Sequence, residues 1–564
     1  MDLSLTLNHR PWSGPLTDPS LTLLQFLRRE GLTGAKEGCA EGDCGACAVV
    51  LLDHDAHGQP VWRSINSCLV PVITLQGRSL VTSEGIGCPA KLHPVQQSMI
   101  HHHGSQCGYC TPGFICSLYE GWHRADLVTQ AQLTDQLDGN LCRCTGYRAI
   151  HDAACEALQN RPTPVPPAGP VTFATPPPAA LDKPLLHRPA TPAALLQLRA
   201  GQPDLRLVAG STEVGLEITK KFRSFPALLS PDAVPELHVI QRHPAYWEIG
   251  AAVTLTNIGD AIGPDFPSLA KMLWLFGSRP IRNRATLGGN IATASPIGDS
   301  APVLLALRAS VVLASIRGTR TVPLDEFFTG YRQTVLQPDE IITTILLPLP
   351  APPPGSRHEQ WYKVSRRLEM DISTVSGSFV VLTDSNGLIT HARLAFGGVA
   401  ATPAHAPKTA AWLIGQPWSA GTFQTASEIA ITEFSPLSDV GGSATYRRAL
   451  IAGMVQRFPT YPPGPAPPIL SPPSPRSIRA PTLTKAPTST SPAPLVIPMT
   501  ARRPTGNSPP GLSPPRTPTP ASSGGTPLPP APSPVSIPSS SPRTSPDGMT
   551  LGPSGMMRFS SPIT

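Results

Sequence analysis

Eight of the eleven cysteines in this chain fall into two loops, and their spacing constrains the N-terminal third more than any other feature. Cys39, Cys44 and Cys47 lie in GCAEGDCGAC, and Cys68 follows in SINSC. Cys107 and Cys110 lie in QCGYCTPGF, and Cys142 and Cys144 follow in GNLCRCTGYR. Both spacings suit iron–sulfur clusters. Two one-electron centres side by side form a wire, which needs a donor at one end and an acceptor at the other.

The first set has the C-x4-C-x2-C…C pattern of a plant-type [2Fe–2S] ferredoxin loop. A cluster with four thiolates is negatively charged and needs backbone N–H donors, and Gly38, Gly42 and Gly45 allow the loop to fold tightly enough to supply them. Four cysteines can also hold zinc tetrahedrally, and for the second set C-x2-C with C-x-C is the less distinctive pattern. Cys88, Cys116 and Cys155 have no partner at ligand spacing and are expected to be buried structural thiols. The run His101-His102-His103 invites a metal, but consecutive helical residues point in different directions, so a solvated helix end is expected.

At 564 residues the chain is too long for one core. The net charge of +7 comes from residues 459–564, which hold eight Lys/Arg and one acid; the first 458 residues balance at 36 against 36. The folded part therefore has no basic bias toward nucleic acid. The same tail holds 31 of the 71 prolines and is expected to be disordered. The sequence has no long apolar run and no signal-peptide pattern, and its cysteines stand at ligand spacing, so a cytoplasmic protein away from membranes is expected.

Leu3-Ser-Leu-Thr-Leu7 alternates as a strand, and Thr22 opens a helix with capping-box spacing that ends at Gly31 or Gly34. Ala48–Leu52 reads as a buried strand and Cys68–Ile73 as another. Residues 79 to about 157 read as helical, 161–184 as an extended proline-rich linker, 185–350 as alternating strands and helices, and 356–458 as a smaller α+β unit. Leu205–Gly215 and Thr286–Asn290 each form a small-residue turn that can present N–H groups to a phosphate. Neither is a Rossmann fingerprint or a P-loop, and such turns alone leave phosphate binding open.

Taken together, GCAEGDCGACAVV, SQCGYCTPGF and GNLCRCTGYRAI resemble the iron–sulfur half of the molybdenum hydroxylases of the xanthine dehydrogenase family. The resemblance implies an α+β multidomain fold: a ferredoxin-like β-grasp [2Fe–2S] domain (1–78), a four-helix [2Fe–2S] domain (79–158), a linker (159–184), an α+β FAD-binding domain (185–350), a small α+β C-terminal flavoprotein domain (356–458) and a disordered proline-rich tail (459–564). It makes all eight loop cysteines cluster ligands. LVAGSTEVG and TLGGNIATASPIGD resemble the family's FAD-pyrophosphate segments. They imply that Leu207, Val208, Ala209, Gly210, Ser211, Thr212, Glu213 and Val214, with Thr286, Leu287, Gly288, Gly289 and Asn290, hold the diphosphate. Asp299 then lies by the ribose, and Phe276, Ile342 and Lys363 match further FAD contacts. The segment after Lys363, with Arg366, Arg367, Glu369 and Asp371, resembles the loop where the family admits NAD.

The similarity runs to about residue 458, and proline-rich sequence begins abruptly at Pro459, which reads as a frameshifted frame or a lineage-specific tail. The expected protein resembles the small subunit of a family member, with molybdopterin on a separate large subunit in a heterodimer or a dimer of heterodimers. The resemblance implies hydroxylation of hypoxanthine and xanthine to urate on that partner, with electrons passing through both clusters to FAD and then NAD. A related aldehyde or N-heterocycle hydroxylase and a stand-alone electron-transfer module are the alternatives. No catalytic acid or base is expected in this chain.

Overall fold

The structure is a computed structural model describing residues 2–163, 165, 184–350 and 355–460. The linker and tail expected over 159–184 and 459–564 fall, margins apart, outside the described residues.

Strand β1 (Asp2–Leu7) buries Leu3, Leu5 and Leu7 and leaves Ser4 and Thr6 half-buried, as a period of two requires. With β2 (Arg10–Pro15), β3 (Ala48–His54), β4 (Pro60–Asn66) and β5 (Ser79–Val81) it forms a sheet ordered β2-β1-β5-β3-β4. Helix α1 (Leu23–Arg29) begins with the expected capping box, in which Thr22 and Gln25 satisfy each other's backbone N–H groups. Such a cap contributes about 1 kcal/mol.

Two expectations shift here. Strand β5 pairs with β1 and β3, so the first sheet runs to Val81 rather than stopping at 78. The segment after Asn66 is not a strand but two 3-10 turns, Ser67–Leu69 and Val72–Leu75. Pro71 between them has no N–H to give a ladder, and the Ser67 hydroxyl and N–H both donate to Cys47 O.

The second unit contains α2 (Ser83–Ile86), α3 (Pro94–His101), α4 (Thr111–Trp122), α5 (Gln130–Leu137) and α6 (Arg148–Gln159). Its helix α4 explains why Ala48–Leu52 is apolar throughout. Val49 and Leu51 join the core that includes α1, whereas Ala48, Val50 and Leu52 pack with Cys116 and Tyr119 of α4. Both faces of β3 are thus buried.

The third unit has two lobes. One is a parallel three-stranded sheet of β6 (Leu186–His187), β7 (Arg206–Leu207) and β8 (Leu228–Leu229), with α7 (Pro192–Gly201) and α8 (Thr212–Thr219). The other is an antiparallel sheet of β9 (Ile240–Arg242), β10 (Tyr246–Gly250), β11 (Ser310–Ser315), β12 (Gly318–Pro323) and β15 (Ile341–Pro348), ordered β12-β11-β15-β10-β9. Helices α9 (Leu255–Ile262), α10 (Pro267–Trp274), α11 (Arg279–Arg282), α12 (Leu287–Ala292) and α13 (Ser300–Ala306) accompany it, with a small hairpin of β13 (Phe328–Gly330) and β14 (Gln333–Thr334). The last unit is a four-stranded sheet, β16 (Arg357–Val364), β17 (Val375–Thr383), β18 (Ile389–Gly397) and β19 (Ala404–His405), with α14 (Pro407–Leu413), α15 (Ala420–Glu433) and α16 (Ala444–Arg457).

The first three units share interior. Val208, Val214 and Leu228 of the third unit belong to the same buried cluster as Leu23, Leu51 and Cys68. The polar counterpart is Glu120 of α4, which is fully buried. It accepts from Arg279 Nε at 2.8 Å, from Ser64 N and Oγ at 3.0 and 2.5 Å, from Gln136 Nε2 at 3.2 Å and from Asn283 Nδ2 at 3.2 Å. Burial works to raise its pKa, but Arg279, Arg63 and Arg124 outweigh burial and hold the carboxyl at about 2. Nearby, Arg282 pairs with Asp135 of α5, both almost wholly buried.

Because its folded pKa is depressed, Glu120 contributes its full stability above the ordinary value of 4.5 and loses it as pH falls toward about 2. Glu120→Gln removes the charge facing two buried arginines and is expected to cost about 3–5 kcal/mol. Denaturant unfolding followed by circular dichroism checks this cost. In the variant the acid-unfolding curve loses the limb between pH 4.5 and about 2.

Candidate functional site

The first cysteine loop is built on backbone that favours small residues. Gly42 and Gly45 have φ of +90° and +64°, and Ala40 takes +54°. A Cβ on Gly38 would stand 2.7 Å from Cys44 Sγ. The N–H groups of Glu41 and Cys44 both lie 3.4 Å from Cys39 Sγ, so the loop turns donors toward sulfur as a negatively charged cluster requires. Cys47 and Cys68 are buried, and Cys39 and Cys44 are half-exposed.

The four sulfurs stand as two touching pairs, Cys39 with Cys44 and Cys47 with Cys68. The Cys44 thiol pulls Cys39 down to about 5 and is itself pushed up by Cys39. Cys68 pulls Cys47 down and Cys47 pushes Cys68 up, while Cys39 as a nearby charge works to raise both. The second set behaves alike. Cys107 is lowered by the N–H of Tyr109 and by Cys144, which it raises in return. Burial and then Cys142 push Cys110 up to about 12. Burial opposes ionisation of Cys142, but the Thr145 hydroxyl, 3.1 Å from its sulfur, leads the groups that outweigh it. Cys107 and Cys144 are exposed.

The two loops touch through their main chains. Leu141 N donates to Cys44 O at 3.0 Å, and Asn140 Nδ2 donates to Gly45 O at 3.3 Å. A Cβ on Gly113 would meet Gly45 O at 2.1 Å, so only glycine admits this approach. Leu141 immediately precedes Cys142, so a single hydrogen bond separates the backbones of the two sets.

The two small-residue turns also meet. Strand β7 ends at Leu207, the turn Val208-Ala209-Gly210-Ser211 leads to α8, and a Cβ on Gly210 would stand 2.1 Å from Arg284 O. Ser211 has φ +72°, and its buried Oγ has no hydrogen-bond partner among the described residues. Thr212 and Glu213 follow half-exposed, while Val214 is buried. Thr286 caps α12 by accepting from Gly289 N, Leu287 is buried, and Asn290 Oδ1 accepts from Ser300 at 2.5 Å. Gly288 lies against Ala251, whose N–H donates to Thr343 O beside Ile342. Two adjacent helix starts with an unsatisfied buried hydroxyl fit an anionic diphosphate.

Asp299 is a second focus. Lys363 Nζ lies 2.9 Å from it and also donates to Leu275 O at 3.2 Å, and Ser373 Oγ donates to it at 2.5 Å. Phe276 follows Leu275, and its carbonyl accepts from Arg282 at 3.0 Å. Lys363 thus links Asp299 to Leu275, the residue before Phe276, whereas Phe276 packs against the core in which the Ile342 side chain is buried. Residues 366–371 extend from this point toward the second unit. Burial and then Glu369 push Asp138, at the end of α5, up to about 7.

Two expectations are corrected. His101 and His102 do converge: both ring nitrogens contact Glu156 of α6, because the helix ends at His101 and the chain turns away at His103, φ +53°. Cys88 is exposed, since it lies in the loop before α3, whereas Cys116 and Cys155 are buried. The sequence reading missed Glu120, although a lone acid within the apolar run Phe114–Trp122 marks it. It also missed Arg332, which reaches from the hairpin to Glu213 at 2.9 Å and has no local signal. No helix among the described residues is long and apolar enough to cross a membrane.

Four family models match this chain. Residues 12–72 match a 2Fe-2S iron-sulfur cluster binding domain and 82–155 a [2Fe-2S] binding domain. Residues 180–350 match the FAD binding domain in molybdopterin dehydrogenase, and 360–461 the CO dehydrogenase flavoprotein C-terminal domain. The chain thus carries the two [2Fe–2S] domains and the FAD domain of the molybdenum hydroxylases. Its homologues are xanthine dehydrogenases: that of Emericella nidulans is 34% identical over 78% of this chain, and that of Drosophila pseudoobscura pseudoobscura is 34% identical over the same share. The chain spans 37% of the length of each. A carbon monoxide dehydrogenase structure from Hydrogenophaga pseudoflava is 28% identical, with a TM-score of 0.46, covering 49% of this chain and 96% of that one.

Gly113→Ala forces the two cysteine loops apart and is expected to lower iron content and weaken visible cluster absorbance. Gly201→Ala, where an added Cβ meets nothing within 4 Å, is the control expected to leave both unchanged.

Proposed function

We propose that this chain is the iron–sulfur and FAD electron-transfer subunit of a cytoplasmic xanthine dehydrogenase, working with a molybdopterin-binding large subunit. Electrons from hydroxylation of hypoxanthine or xanthine on that partner would pass through both [2Fe–2S] sites to FAD and then NAD. The observation that carries this reading is an unbroken line of contacts. It runs from the exposed pair Cys107 and Cys144, through the Leu141–Cys44 hydrogen bond, to the first cysteine set and on to the cradle at 207–214.

In this reading Cys39, Cys44, Cys47 and Cys68 hold the inner cluster, and Cys107, Cys110, Cys142 and Cys144 hold the outer one. FAD, when bound, exchanges single electrons on one side and an electron pair on the other. The residues at 207–214 and 286–290 hold its diphosphate, with Ser211 Oγ supplied with an acceptor. Lys363 and Ser373 hold the Asp299 carboxyl in place, and Lys363 ties it to Leu275, the residue before Phe276. The exposed Leu368 and Ile372, with Arg366 and Arg367, give the following loop both apolar and basic contacts for a dinucleotide.

The purified chain is expected to show flavin absorbance and two distinct EPR signals on reduction, and NADH is expected to bleach the flavin anaerobically. Zinc in place of iron would overturn the reading. A flavin that ignores NADH but is reoxidised by oxygen would overturn the dehydrogenase part alone.

A further inference from the structure

Helix α8 begins in the 207–214 cradle and ends on the first cysteine loop. Thr219 Oγ lies 2.7 Å from Ala40 O and 2.9 Å from Gly215 O of its own helix, the nearer carbonyl being the one in the cysteine loop, and Lys220 Nζ donates to Cys39 O at 2.6 Å while pairing with Glu41 at 3.1 Å. Two consecutive carbonyls of the loop are thus captured from outside it. Between them stands Ala40 at φ +54°, a conformation an alanine adopts only where its surroundings impose it.

The peptide joining Ala40 to Glu41 is planar, so its C=O and N–H point in opposite directions. Thr219 holds the carbonyl end. The N–H end lies 3.4 Å from Cys39 Sγ. Donors to sulfur and nearby positive charge stabilise the reduced, more negative state of an iron–sulfur cluster and so raise its potential. Gly215 of the same helix packs on Leu69 O, beside Cys68, at a distance that leaves no room for a Cβ, so α8 lies against the segments of two cysteines of the set.

We infer that Thr219 is a positioning residue that fixes the Ala40–Glu41 peptide so that its N–H donates to Cys39 Sγ, setting the reduction potential of the inner cluster with help from Lys220. The inference rests on the reading of Cys39, Cys44, Cys47 and Cys68 as ligands of a [2Fe–2S] cluster. Glycines supply flexibility within such a loop; here the orientation of one critical peptide is imposed by the flavin domain.

The test is a potentiometric titration of the full, cluster-loaded and FAD-loaded chain, with both EPR signals followed separately. Thr219→Val, which keeps the shape and removes the hydroxyl, is expected to shift one midpoint to lower potential and leave the other in place. Thr219→Ser is expected to restore it, which a purely packing role for the side chain would not do. Lys220→Met, at an exposed position, is expected to shift the same signal in the same direction. Unchanged midpoints in Thr219→Val overturn the inference while leaving the two-cluster reading in place. If that variant does not load iron, an unchanged midpoint in Lys220→Met overturns it instead. Absence of any [2Fe–2S] signal from the unsubstituted chain removes the underlying reading as well.

Discussion

The arrangement of the first three units depends on one buried carboxylate. Glu120 belongs to the helical unit, Ser64 and Arg63 to the ferredoxin-like sheet, and Arg279 and Asn283 to the flavin domain, and all of them meet in a space closed to solvent. Replacing such a network with well-packed apolar groups costs little, but removing one member strands the others. Its directional bonds do what oil-like packing cannot: they allow one mutual placement of three surfaces. That placement carries Arg282 to Asp135 and sets the 276–290 segment between the cysteine loops and the cradle.

Glycines then bring the main chains into contact. A side chain on Gly45 would collide with Gly139 O and one on Gly113 with Gly45 O, and Gly210 makes the same close approach between the two cradle segments. Loop-to-loop separations here are therefore set by backbone van der Waals radii rather than by side-chain rotamers. Helix α8 continues the same economy of distance, since its two ends serve different sites within a span of eight residues.

Where chemistry forces a local pattern, the sequence was legible. The cysteine spacings pointed to two [2Fe–2S] domains, which the family models match over 12–72 and 82–155, and Thr22 with Gln25 announces a helix start because both groups lie within one turn. The strand expected from Cys68 to Ile73 failed because Val70, Val72 and Ile73 look β-forming one by one, while Pro71 and the hydroxyl of Ser67 decide the backbone. The histidines misled for a related reason. Divergence holds within a helix, and His102 lies just past its end. Glu120 and Arg279 lie 159 residues apart, and no local pattern encodes such a meeting. Neither does any encode the reach of Thr219 to a carbonyl 179 residues earlier.

The most sheltered pair of the first cysteine set and the most open pair of the second differ sharply. Cys47 and Cys68 are each 2% exposed beneath a core shared by two domains, whereas Cys107 and Cys144 lie open at the surface. Thiolate chemistry follows that difference, because solvent, dioxygen and competing metals reach an open sulfur first. A covering surface over the outer pair would therefore act as a preservative as well as an electrical contact. Synthesis of this chain without such a cover would produce molecules that age unevenly, the outer centre decaying while the inner one endures.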